Sequence, residues 1–548
     1  VFCGFNYNYF GGLYVSTESL LAAQIVGQGG REFNNANAFG VGFDGRQGGL
    51  VLKENEQQTA QMWLVNTDRS TISKYDTSGA NPQELAEYRV GLPEGECPGK
   101  CCFDAGCNMP SRVGIDGRGN AYVASAGYGM QGTVTKVAAT LNDCIDRNNN
   151  LRIDTSARGE PLGYGEDECV LWTANVGAFD AEIRALAIDG GDAGAADGYI
   201  WVGNFKGDTK MWKLHPDDGR VLMEVDLDIQ PYGAVAVGNT LYVNTLGDQV
   251  LQTINTQTGA TGDAIRPPDG VRGGCNDAYS ITADNGGRIW ITGNSCPYAM
   301  GYDPKVDGWC RAKGEALGRG GFGRGITTDT AGRVWSAVGV DGASNLAYWR
   351  GNQCVVNSSF EVDAANVYGP FDHAGAALEG PSSVSADPTG RIYLAHNRST
   401  GIIKVDPRNN FTVTSHDGQG LNHSFTDVSG NVRRMSVGKG TYTEDFFANC
   451  DPGSVPQWTA LDWDVNLPDG SDVVFTVYSA PTQQQLISAT GVVVGSASEV
   501  NPPVILDDVL VLAGQESRDY IRIRANLQQG NNGISPVLKQ FLVRWQCQ

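Results

Sequence analysis

The chain has 548 residues, of which 73 are Gly, 41% are hydrophobic and 18% are charged; this length and this turn-rich composition favour an all-β protein larger than one hydrophobic core usually serves. The formal net charge of -21 argues against a nucleic-acid partner, because an acidic protein repels polyanions and loses the counterion release that drives such binding. No stretch reaches the roughly 18 consecutive apolar residues of a membrane-spanning helix, so we expect no membrane span.

Residues 1–40 are predicted to form an aromatic N-terminal tail or strand. The segment VFCGFNYNYFGGLYV alternates aromatic residues with small ones, and a strand of this kind is sticky if its edge stays bare. We expect it to close a blade of the chain's own propeller. The alternative is that it adds to a neighbouring subunit by strand augmentation, which would make the chain self-associate.

Thirteen cysteines indicate an oxidising compartment, and Val1 is expected to open a processed, secreted protein. The run CPGKCCFDAGC, residues 97–107, could hold zinc, but zinc sites usually add His or a second Cys-x2-Cys pair, so disulfides are preferred there. Spacing also predicts the pairs Cys144–Cys169 and Cys450–Cys547. The odd count leaves one thiol, which is either Cys3 bonded to another chain or a buried free cysteine.

One pattern recurs along residues 41–435: a hydrophobic residue, often an Asp, a Gly-containing turn and an aromatic residue that opens an alternating strand. Its clearest copies are GIDGRGNAYVAS from Gly114, ITADNGGRIWITG from Ile281, ITTDTAGRVWSAV from Ile326 and VSADPTGRIYLAH from Val384, with looser copies from Met62, Ala187 and Ala236. Each copy reads as a β-hairpin, because turn residues separate two runs of period two. Seven copies predict a seven-bladed β-propeller. The anchoring aromatics are Trp63, Tyr122, Trp201, Tyr242, Trp290, Trp335 and Tyr393.

Over about residues 40–410, this repeat and the strands that follow it, such as GIIKVDP from Gly401, resemble the blades of NHL and streptogramin-lyase (virginiamycin B lyase) propellers. The resemblance implies a metal held by glutamates near the channel and a histidine base, placed two or three residues after the blade aromatic. The matching positions here are Asn66, Ser125, Asn204, Asn244, Gly293 with Asn294, Val338 and His396. They contain no glutamate, and His396 is the single candidate base. A mouth lined by amides suits weak polar contacts better than proton abstraction.

The stretch DCIDRNNNLRIDTS, residues 143–156, matches a calcium-binding loop. Asp146, Asn148, Asn150, the carbonyl of Arg152 and Asp154 occupy positions 1, 3, 5, 7 and 9, where alternate short oxygen-bearing groups surround one hard cation. Similar loops are found in bacterial extracellular calcium proteins, which this stretch resembles.

The loop departs from the usual pattern at two places. Leu151 stands at the sixth position, where Gly is usual, and Ala157 stands where a bidentate Glu closes the shell. We expect the closing carboxylate from the acidic run 166–168, carried back over the loop by a Cys144–Cys169 bond. The prediction is a structural Ca²⁺ that orders an insertion near residues 140–170, between the second and third blades; a metal-free Asx turn is the alternative. The predicted ligands are Asp146, Asn148, Asn150, Arg152, Asp154, Asp167 and Glu168.

Residues 441–548 lack the repeat and contain longer alternating strands, which predict a C-terminal β-sandwich. The runs DYIRIRANLQ and SPVLKQFLVRWQC resemble the closing strands of jelly-roll modules in bacterial secreted and surface proteins. The resemblance implies either carbohydrate binding or a stalk or packing role. Trp458, Trp463 and Trp545 are candidates for stacking on sugars or for the core.

Two functions are therefore open. The first is a secreted, non-catalytic scaffold at the cell surface or outside a bacterial cell: a calcium-stabilised adhesion or assembly subunit, of a filament or surface layer for example, whose partner is a carbohydrate or a surface protein. The second is a propeller lyase acting at the channel mouth. An enzyme should bring at least two ionisable groups together at the mouth, whereas a scaffold can present amides and glycines there. The sequence favours the scaffold.

Overall fold

The computed structural model describes residues 13–15, 21–34, 38–39, 41–52, 60–92, 108–192, 195, 197–272, 278–293, 298–313, 322–340, 343–468, 470–487, 489–530 and 534–548. Cys3, the cysteine-rich run 97–107, Asn294 and most of the N-terminal tail lie outside the described residues. The predicted all-β class is confirmed, because the described elements are almost all strands. No helix in this part of the chain is long and apolar enough to cross a membrane.

The chain divides into two compact units. The larger unit contains the described parts of residues 59–190 and 197–437, and the smaller unit contains those of residues 1–58, 191–196 and 438–548. The first five strands belong to the smaller unit: β1 (Leu13–Val15), β2 (Leu21–Gly27), β3 (Ala38–Phe39), β4 (Val41–Asp44) and β5 (Gly49–Leu52).

The strands of the larger unit follow the repeat. They are β6 (Gln61–Asn66), β7 (Thr71–Asp76), β8 (Gln83–Arg89), β9 (Pro110–Ile115), β10 (Ala121–Ser125), β11 (Gln131–Val137), β12 (Val170–Phe179), β13 (Ile183–Ile188), β14 (Ile200–Asn204), β15 (Lys210–Leu214), β16 (Val221–Asp226), β17 (Gly233–Val237), β18 (Thr240–Asn244), β19 (Leu251–Asn255), β20 (Ser280–Ala283), β21 (Ile289–Thr292), β22 (Tyr298–Asp303), β23 (Gly308–Lys313), β24 (Phe322–Thr328), β25 (Arg333–Val340), β26 (Ala343–Arg350), β27 (Ser358–Glu361), β28 (Val367–Tyr368), β29 (Asp372–His373), β30 (Ala376–Ala377), β31 (Pro381–Ala386), β32 (Ile392–His396), β33 (Ile402–Asp406) and β34 (Thr412–His416). Helix α1 (Asn431–Val437) ends the unit, and short 3-10 helices lie at Leu141–Asp143, Gly351–Gln353 and Ala364–Asn366.

These strands form consecutive antiparallel sheets. Sheet 1 contains β6–β8, sheet 2 β9–β12, sheet 3 β13–β16, sheet 4 β17–β19, sheet 5 β20–β23, sheet 6 β24–β26 with β28, and sheet 7 β31–β34. Strand β27 joins β23 in parallel. The first strand of each sheet contacts the first strand of the next. The propeller-like arrangement predicted from the repeat is therefore confirmed.

The repeated Asp explains the spacing of the pattern. In sheet 6, Asp329 Oδ1 accepts hydrogen bonds from the backbone N–H groups of Ala331 and Arg333, each at 3.0 Å. Its Oδ2 accepts from Trp335 Nε1 at 2.8 Å. Gly332 between them has a φ of +74°, a conformation that favours Gly. The same bond from aromatic to Asp recurs in four other sheets, as Tyr122–Asp116, Trp201–Asp189, Trp290–Asp284 and Tyr393–Asp387.

Residues 421–437, here called the axial segment, reach every one of these sheets by hydrogen bonds. The pairs, from sheet 1 to sheet 7, are Trp63 N to Val428 O, Val113 N to Thr426 Oγ1, Arg433 Nε to Asp189 O, Gly238 N to Ser436 O, Ser280 Oγ to Phe425 O, Asn431 Nδ2 to Thr328 O, and Ser429 Oγ to Ala386 O. The sequence analysis expected an open mouth and channel. The channel is instead occupied by the chain itself, and a cavity of about 50 Å³ lined by the first strands and by Asp427 and Arg433 remains.

The predicted calcium loop lies inside sheet 2, between β11 and β12. The prediction that it separates two blades is wrong, because β12 pairs with β11 as the fourth strand of the same sheet. The predicted Cys144–Cys169 disulfide is present, with a Cα–Cα distance of 4.4 Å. A further disulfide, Cys310–Cys354, was not predicted.

The smaller unit continues with β35 (Lys439–Phe447), β36 (Pro456–Asn466), β37 (Asp472–Ala480), β38 (Val492–Ser496), α2 (Leu506–Leu512), β39 (Tyr520–Gln528) and β40 (Val537–Cys547), with a 3-10 helix at Gln484–Ile487. One sheet has the order β1-β2-β40-β5-β4, with β36 paired to β40, and the other β3-β35-β39-β37-β38. Both contribute to one hydrophobic core. The sequence analysis began the repeat region at residue 41, whereas β4 and β5 belong to this unit. It also expected the N-terminal tail to close a propeller blade, and this is wrong for the described strands, because β1 pairs with β2 and β2 pairs with β40.

Two predictions for this unit concern its cysteines and tryptophans. The predicted Cys450–Cys547 bond is present. Trp458, Trp463 and Trp545 are all buried in the core, so the core alternative holds for them and none offers an open face to a sugar.

Replacing Asp329 with Ala should lower the free energy of unfolding by about 2–4 kcal/mol, because it leaves the Trp335 N–H and two turn N–H groups buried without acceptors. Chemical denaturation followed by tryptophan fluorescence measures this change. Asp226→Ala is the matched control, since the Asp226 side chain is 86% exposed, and it should change the stability by less than about 0.5 kcal/mol. Equal effects of the two substitutions would contradict the role given to Asp329.

Candidate functional site

The residues predicted to line the mouth end the second strands of the sheets, as the repeat requires. Asn66, Ser125, Asn204, Asn244 and His396 are the last residues of their strands, Val338 lies in β25 and Gly293 follows β21. All of them are buried. They pack between strands rather than presenting amides to an open mouth.

The buried amides differ in how well they are satisfied. Asn66 Nδ2 donates to Thr71 Oγ1 at 3.0 Å and to Ser73 Oγ at 2.8 Å. Asn204 has neither amide atom hydrogen-bonded to a described residue, and the same holds for Oδ1 of Asn244. Asn66 thus acts as a local crosslink within sheet 1.

His396, the candidate base of the lyase alternative, has both ring nitrogens occupied. Nδ1 lies 2.7 Å from the carbonyl of Gly401, and because a carbonyl only accepts, Nδ1 carries the proton. Nε2 then accepts from Ser344 Oγ, also at 2.7 Å. Burial lowers the pKa of His396 to about 4, although the bond to Gly401 raises it. The ring is neutral at physiological pH and has no free lone pair with which to take a proton from a substrate.

In the predicted calcium loop, four of the predicted side chains lie close together. Asp154 Oδ2 accepts from Asn148 Nδ2 at 2.7 Å and from Asn150 Nδ2 at 2.9 Å. Asp146 Oδ2 accepts from Leu151 N at 2.9 Å. Two carboxylates and two amides are the kinds of ligand that Ca²⁺ accepts. A cation at this position requires the two amides to turn so that their oxygens face Asp154.

The sixth position of the loop also has the expected backbone. Leu151 has a φ of +65°, the left-handed conformation for which Gly usually stands in such loops. The side chain of Leu151 is 89% exposed. The residue is therefore kept in an unfavourable conformation without any packing of its side chain.

The carboxylates of Asp167 and Glu168, predicted as calcium ligands, accept hydrogen bonds from the backbone of the loop and of Cys169. Glu168 Oε1 accepts from Arg147 N at 2.7 Å, and its Oε2 accepts from Asp154 N at 2.8 Å. Asp167 accepts from Ser156 N and from Cys169 N, each at 2.8 Å. These carboxylates fix the backbone of the loop. In the described chain no three His, Cys, Asp or Glu side chains form a group that could hold a metal, so amide oxygens would have to complete a calcium shell.

A second set of residues, which the sequence analysis missed, lies at the start of the first strands of sheets 2 to 6 and includes one residue of the axial segment. We call it the mouth cluster: Arg112, Arg184, Tyr232, Tyr279, Arg324 and Phe425. The guanidinium of Arg112 lies 5.2 Å from the ring centre of Tyr232 and 4.9 Å from that of Phe425. The guanidinium of Arg324 lies 5.4 Å from Tyr279 and 5.9 Å from Phe425. The cluster therefore alternates cations with aromatic faces.

The repeat contains a signal for this cluster. Tyr279 and Arg324 stand five residues before the repeated Asp284 and Asp329, and Arg184 stands five residues before Asp189. The sequence analysis located the mouth by counting residues forward from the blade aromatic. Counting back from the repeated Asp instead leads to the start of the first strand, where these cluster residues lie.

No protein-family model and no curated protein sequence matches this chain. Among solved structures the chain is similar to virginiamycin B lyase from Staphylococcus aureus, with 13% identity and a TM-score of 0.39 over 57% of this chain and 84% of that chain. It is also similar to a functionally unknown protein from Desulfotomaculum acetoxidans, with 10% identity and a TM-score of 0.44 over 66% of this chain and 96% of that chain. Hydrazine synthase of Kuenenia stuttgartiensis is similar as well, with 11% identity and a TM-score of 0.41 over 62% of this chain and 94% of that chain. Such values carry no inference about activity.

Proposed function

We propose that this protein is a secreted, non-catalytic scaffold that acts outside the cell or on its surface. In this proposal a closed seven-bladed β-propeller and a jelly-roll-like β-sandwich form an adhesion or assembly subunit, for example of a filament or surface layer. Its partner is a surface carbohydrate, a surface protein or a further copy of the chain.

The observation that carries the proposal is the axial segment. A propeller enzyme needs a substrate to enter the channel mouth, where groups from several sheets meet. Here residues 421–437 hydrogen-bond to each of the seven sheets, and the remaining cavity of about 50 Å³ holds no more than one or two water molecules. A channel in which the chain is its own occupant suits a rigid scaffold.

The seven-bladed, closed form is supported by the link between the last sheet and the first. The axial segment bonds to sheet 1 through Trp63 N and Val428 O at 2.9 Å and through Thr67 N and Leu421 O at 2.8 Å. It bonds to sheet 7 through Asn422 N and His396 O at 2.7 Å. Residues 421–428 thus stand where sheet 1 would otherwise lack a first strand, and they close the ring.

Secretion is supported by the disulfides Cys144–Cys169, Cys310–Cys354 and Cys450–Cys547, because such bonds persist mainly in oxidising compartments. The sandwich is supported by the two sheets of the smaller unit and their common core. Assembly through the N-terminal tail remains part of the proposal, although its strand β1 pairs with β2 of the same chain.

Calcium is proposed to order the loop between β11 and β12. Bound Ca²⁺ would supply a positive centre for Asp146, Asp154 and the two amides, which lie within hydrogen-bond distance of one another or of the loop backbone. Metal that binds only the folded loop stabilises the fold by mass action.

Ca²⁺ at about 100 times its Kd should stabilise the protein by about 2.7 kcal/mol, which for a unit of this size raises the unfolding temperature by roughly 3–4 °C. Calorimetry with Ca²⁺, with Mg²⁺ and with a chelator measures this. Asp146→Ala should abolish the response to Ca²⁺, whereas the exposed Asp208→Ala should keep it. An unchanged unfolding temperature in chelator would overturn the calcium proposal.

His396→Gln tests whether His396 is structural. The folded-state pKa of about 4 lies below the unfolded value of about 6.5, so below pH 6.5 protons bind the unfolded chain first and stability falls as the pH approaches 4. Each such histidine contributes up to about 1.4 kcal/mol per pH unit. His396→Gln should remove this contribution from the slope of unfolding free energy against pH.

The pKa of His423 is also lowered to about 4, so part of the slope should persist in the variant. An unchanged slope would contradict the role given to His396. A streptogramin-lyase turnover that His396→Gln abolishes would overturn the non-catalytic proposal itself.

A further inference from the structure

Two arginines of the mouth cluster, Arg112 and Arg184, are bonded by some of their N–H groups but not by all of them; Arg184 Nη2 donates to the hydroxyl of Tyr128. Glu182 is shared between two cations: its Oε2 lies 3.9 Å from Arg184 Nη2, and its Oε1 contacts Lys206 Nζ. Arg112 Nη1 donates to the carbonyl of Ser111 at 2.8 Å. The described residues offer no hydrogen-bond acceptor to Arg112 Nη2 or to Arg184 Nε.

Both of these arginines are withdrawn from water. Arg112 is 1% exposed and Arg184 is 7% exposed. A buried cation is costly unless it is paired and hydrogen-bonded. Burial, together with the nearby charge of Arg184, lowers the pKa of Arg112. Burial also opposes the charge of Arg184, but the nearby Tyr232, Tyr128, Tyr279 and Glu182 outweigh it and raise the pKa of this arginine. What the two arginines lack is an acceptor for Arg112 Nη2 and Arg184 Nε among the described residues, and an anion is a group that would supply one.

The aromatic rings fix how the cluster can accept a ligand. Tyr232 and Phe425 lie 5.2 and 4.9 Å from the Arg112 guanidinium, and contact with a ring face engages the plane of the cation rather than its N–H edge. The rings also pack against one another, with Tyr232 and Tyr279 centred 4.9 Å apart and Tyr279 and Phe425 4.8 Å apart. Because Arg112 Nη1 is bonded to the carbonyl of Ser111, Nη2 is the group of its N–H edge left for an acceptor that lies in the plane of the guanidinium.

We propose that the mouth cluster is a binding site for an oxyanion: a sulfate, phosphate or carboxylate group held by Arg112, Arg184 and Arg324 against the rings of Tyr232, Tyr279 and Phe425. The forked geometry of arginine matches the paired oxygens of such groups, which a monatomic anion lacks. Tyr279 and Arg324 are partly exposed, so a small oxyanion has access to this side of the cluster.

His423 supports the same site. It lies beside the cluster on the axial segment, and burial together with the charges of Arg324, Arg184 and Arg112 lowers its pKa to about 4. The histidine therefore reports the positive potential of three separate arginines at one place. This potential persists within a chain whose net charge is -21.

Isothermal titration calorimetry of the full chain with sodium sulfate, sodium phosphate and sodium acetate tests the proposal, with sodium chloride at matched ionic strength as the reference. We expect saturable binding of at least one oxyanion to the unmodified protein. Arg324→Gln should weaken it at least tenfold. Arg220→Gln, which removes an exposed arginine that pairs with Asp218 at 2.6 Å, should leave it unchanged.

Each result of these titrations either supports or contradicts the oxyanion site. The anion that binds most tightly identifies the chemical group that the site prefers. No saturable binding to the unmodified protein would overturn the proposal, whatever the variants do, so it remains testable even if Arg324→Gln fails to fold. Equal weakening by Arg324→Gln and Arg220→Gln would also overturn it, because that result indicates general screening of charge rather than a site.

Discussion

The larger unit depends on a carboxylate buried in a tight turn. In five of its sheets the repeated Asp accepts a hydrogen bond from the aromatic residue six positions later, or twelve later in sheet 3. In four of them its other oxygen also accepts two N–H groups of the turn. An isolated buried carboxylate would be strongly unfavourable. Because these donors surround it, the same group fixes the turn and orients the large ring that packs between sheets.

The axial segment pairs buried polar groups of all the sheets of the larger unit, as the repeated Asp does within single sheets. A ring of sheets leaves polar backbone groups at its centre, and those groups need partners when water is excluded. Residues 421–437 supply both donors and acceptors. Asp427, for example, accepts from Ser385 Oγ of sheet 7 and from Val432 N at the start of α1. Because the axial segment occupies the centre of the sheets, no open channel is left there. A ligand would therefore bind at the end of the axis, as proposed for the mouth cluster.

The sequence predicted the strand pairs that are encoded locally and missed those that depend on distant partners. The Asp-turn-aromatic copies revealed the sheets because all their partners lie within a dozen or so residues. The disulfides Cys144–Cys169 and Cys450–Cys547, 25 and 97 residues apart, could still be predicted because cysteines are few and stand at the ends of recognisable segments. Strands β4 and β5 show the same alternation as any strand. Their assignment depends on pairing with β40, as in the Leu50–Leu538 contact, and no local pattern specifies a partner so distant in sequence.

The candidate sites also differ in whether their residues are contiguous or distant in sequence. Asp146, Asn148, Asn150 and Asp154 could be picked out because the calcium-loop pattern is contiguous in sequence. The backbone N–H donors that bond to Asp167 and Glu168 could not be predicted from spacing. The mouth cluster brings together residues from six separate parts of the chain, between Arg112 and Phe425. Its position on the first strands was hidden, because the repeat was aligned on the aromatic of the second strand.

The negative net charge of the protein has opposite effects on the ligands proposed for the loop between β11 and β12 and for the mouth cluster. A charge of -21 favours the approach of divalent cations, including the Ca²⁺ proposed for the loop between β11 and β12. For the mouth cluster the same charge is an obstacle, since it repels anions from a distance. At physiological ionic strength, however, screening limits this repulsion to about 8 Å, and closer than that Arg112, Arg184 and Arg324 dominate. An oxyanion that reaches the mouth therefore meets a local field whose sign is opposite to that of the protein as a whole.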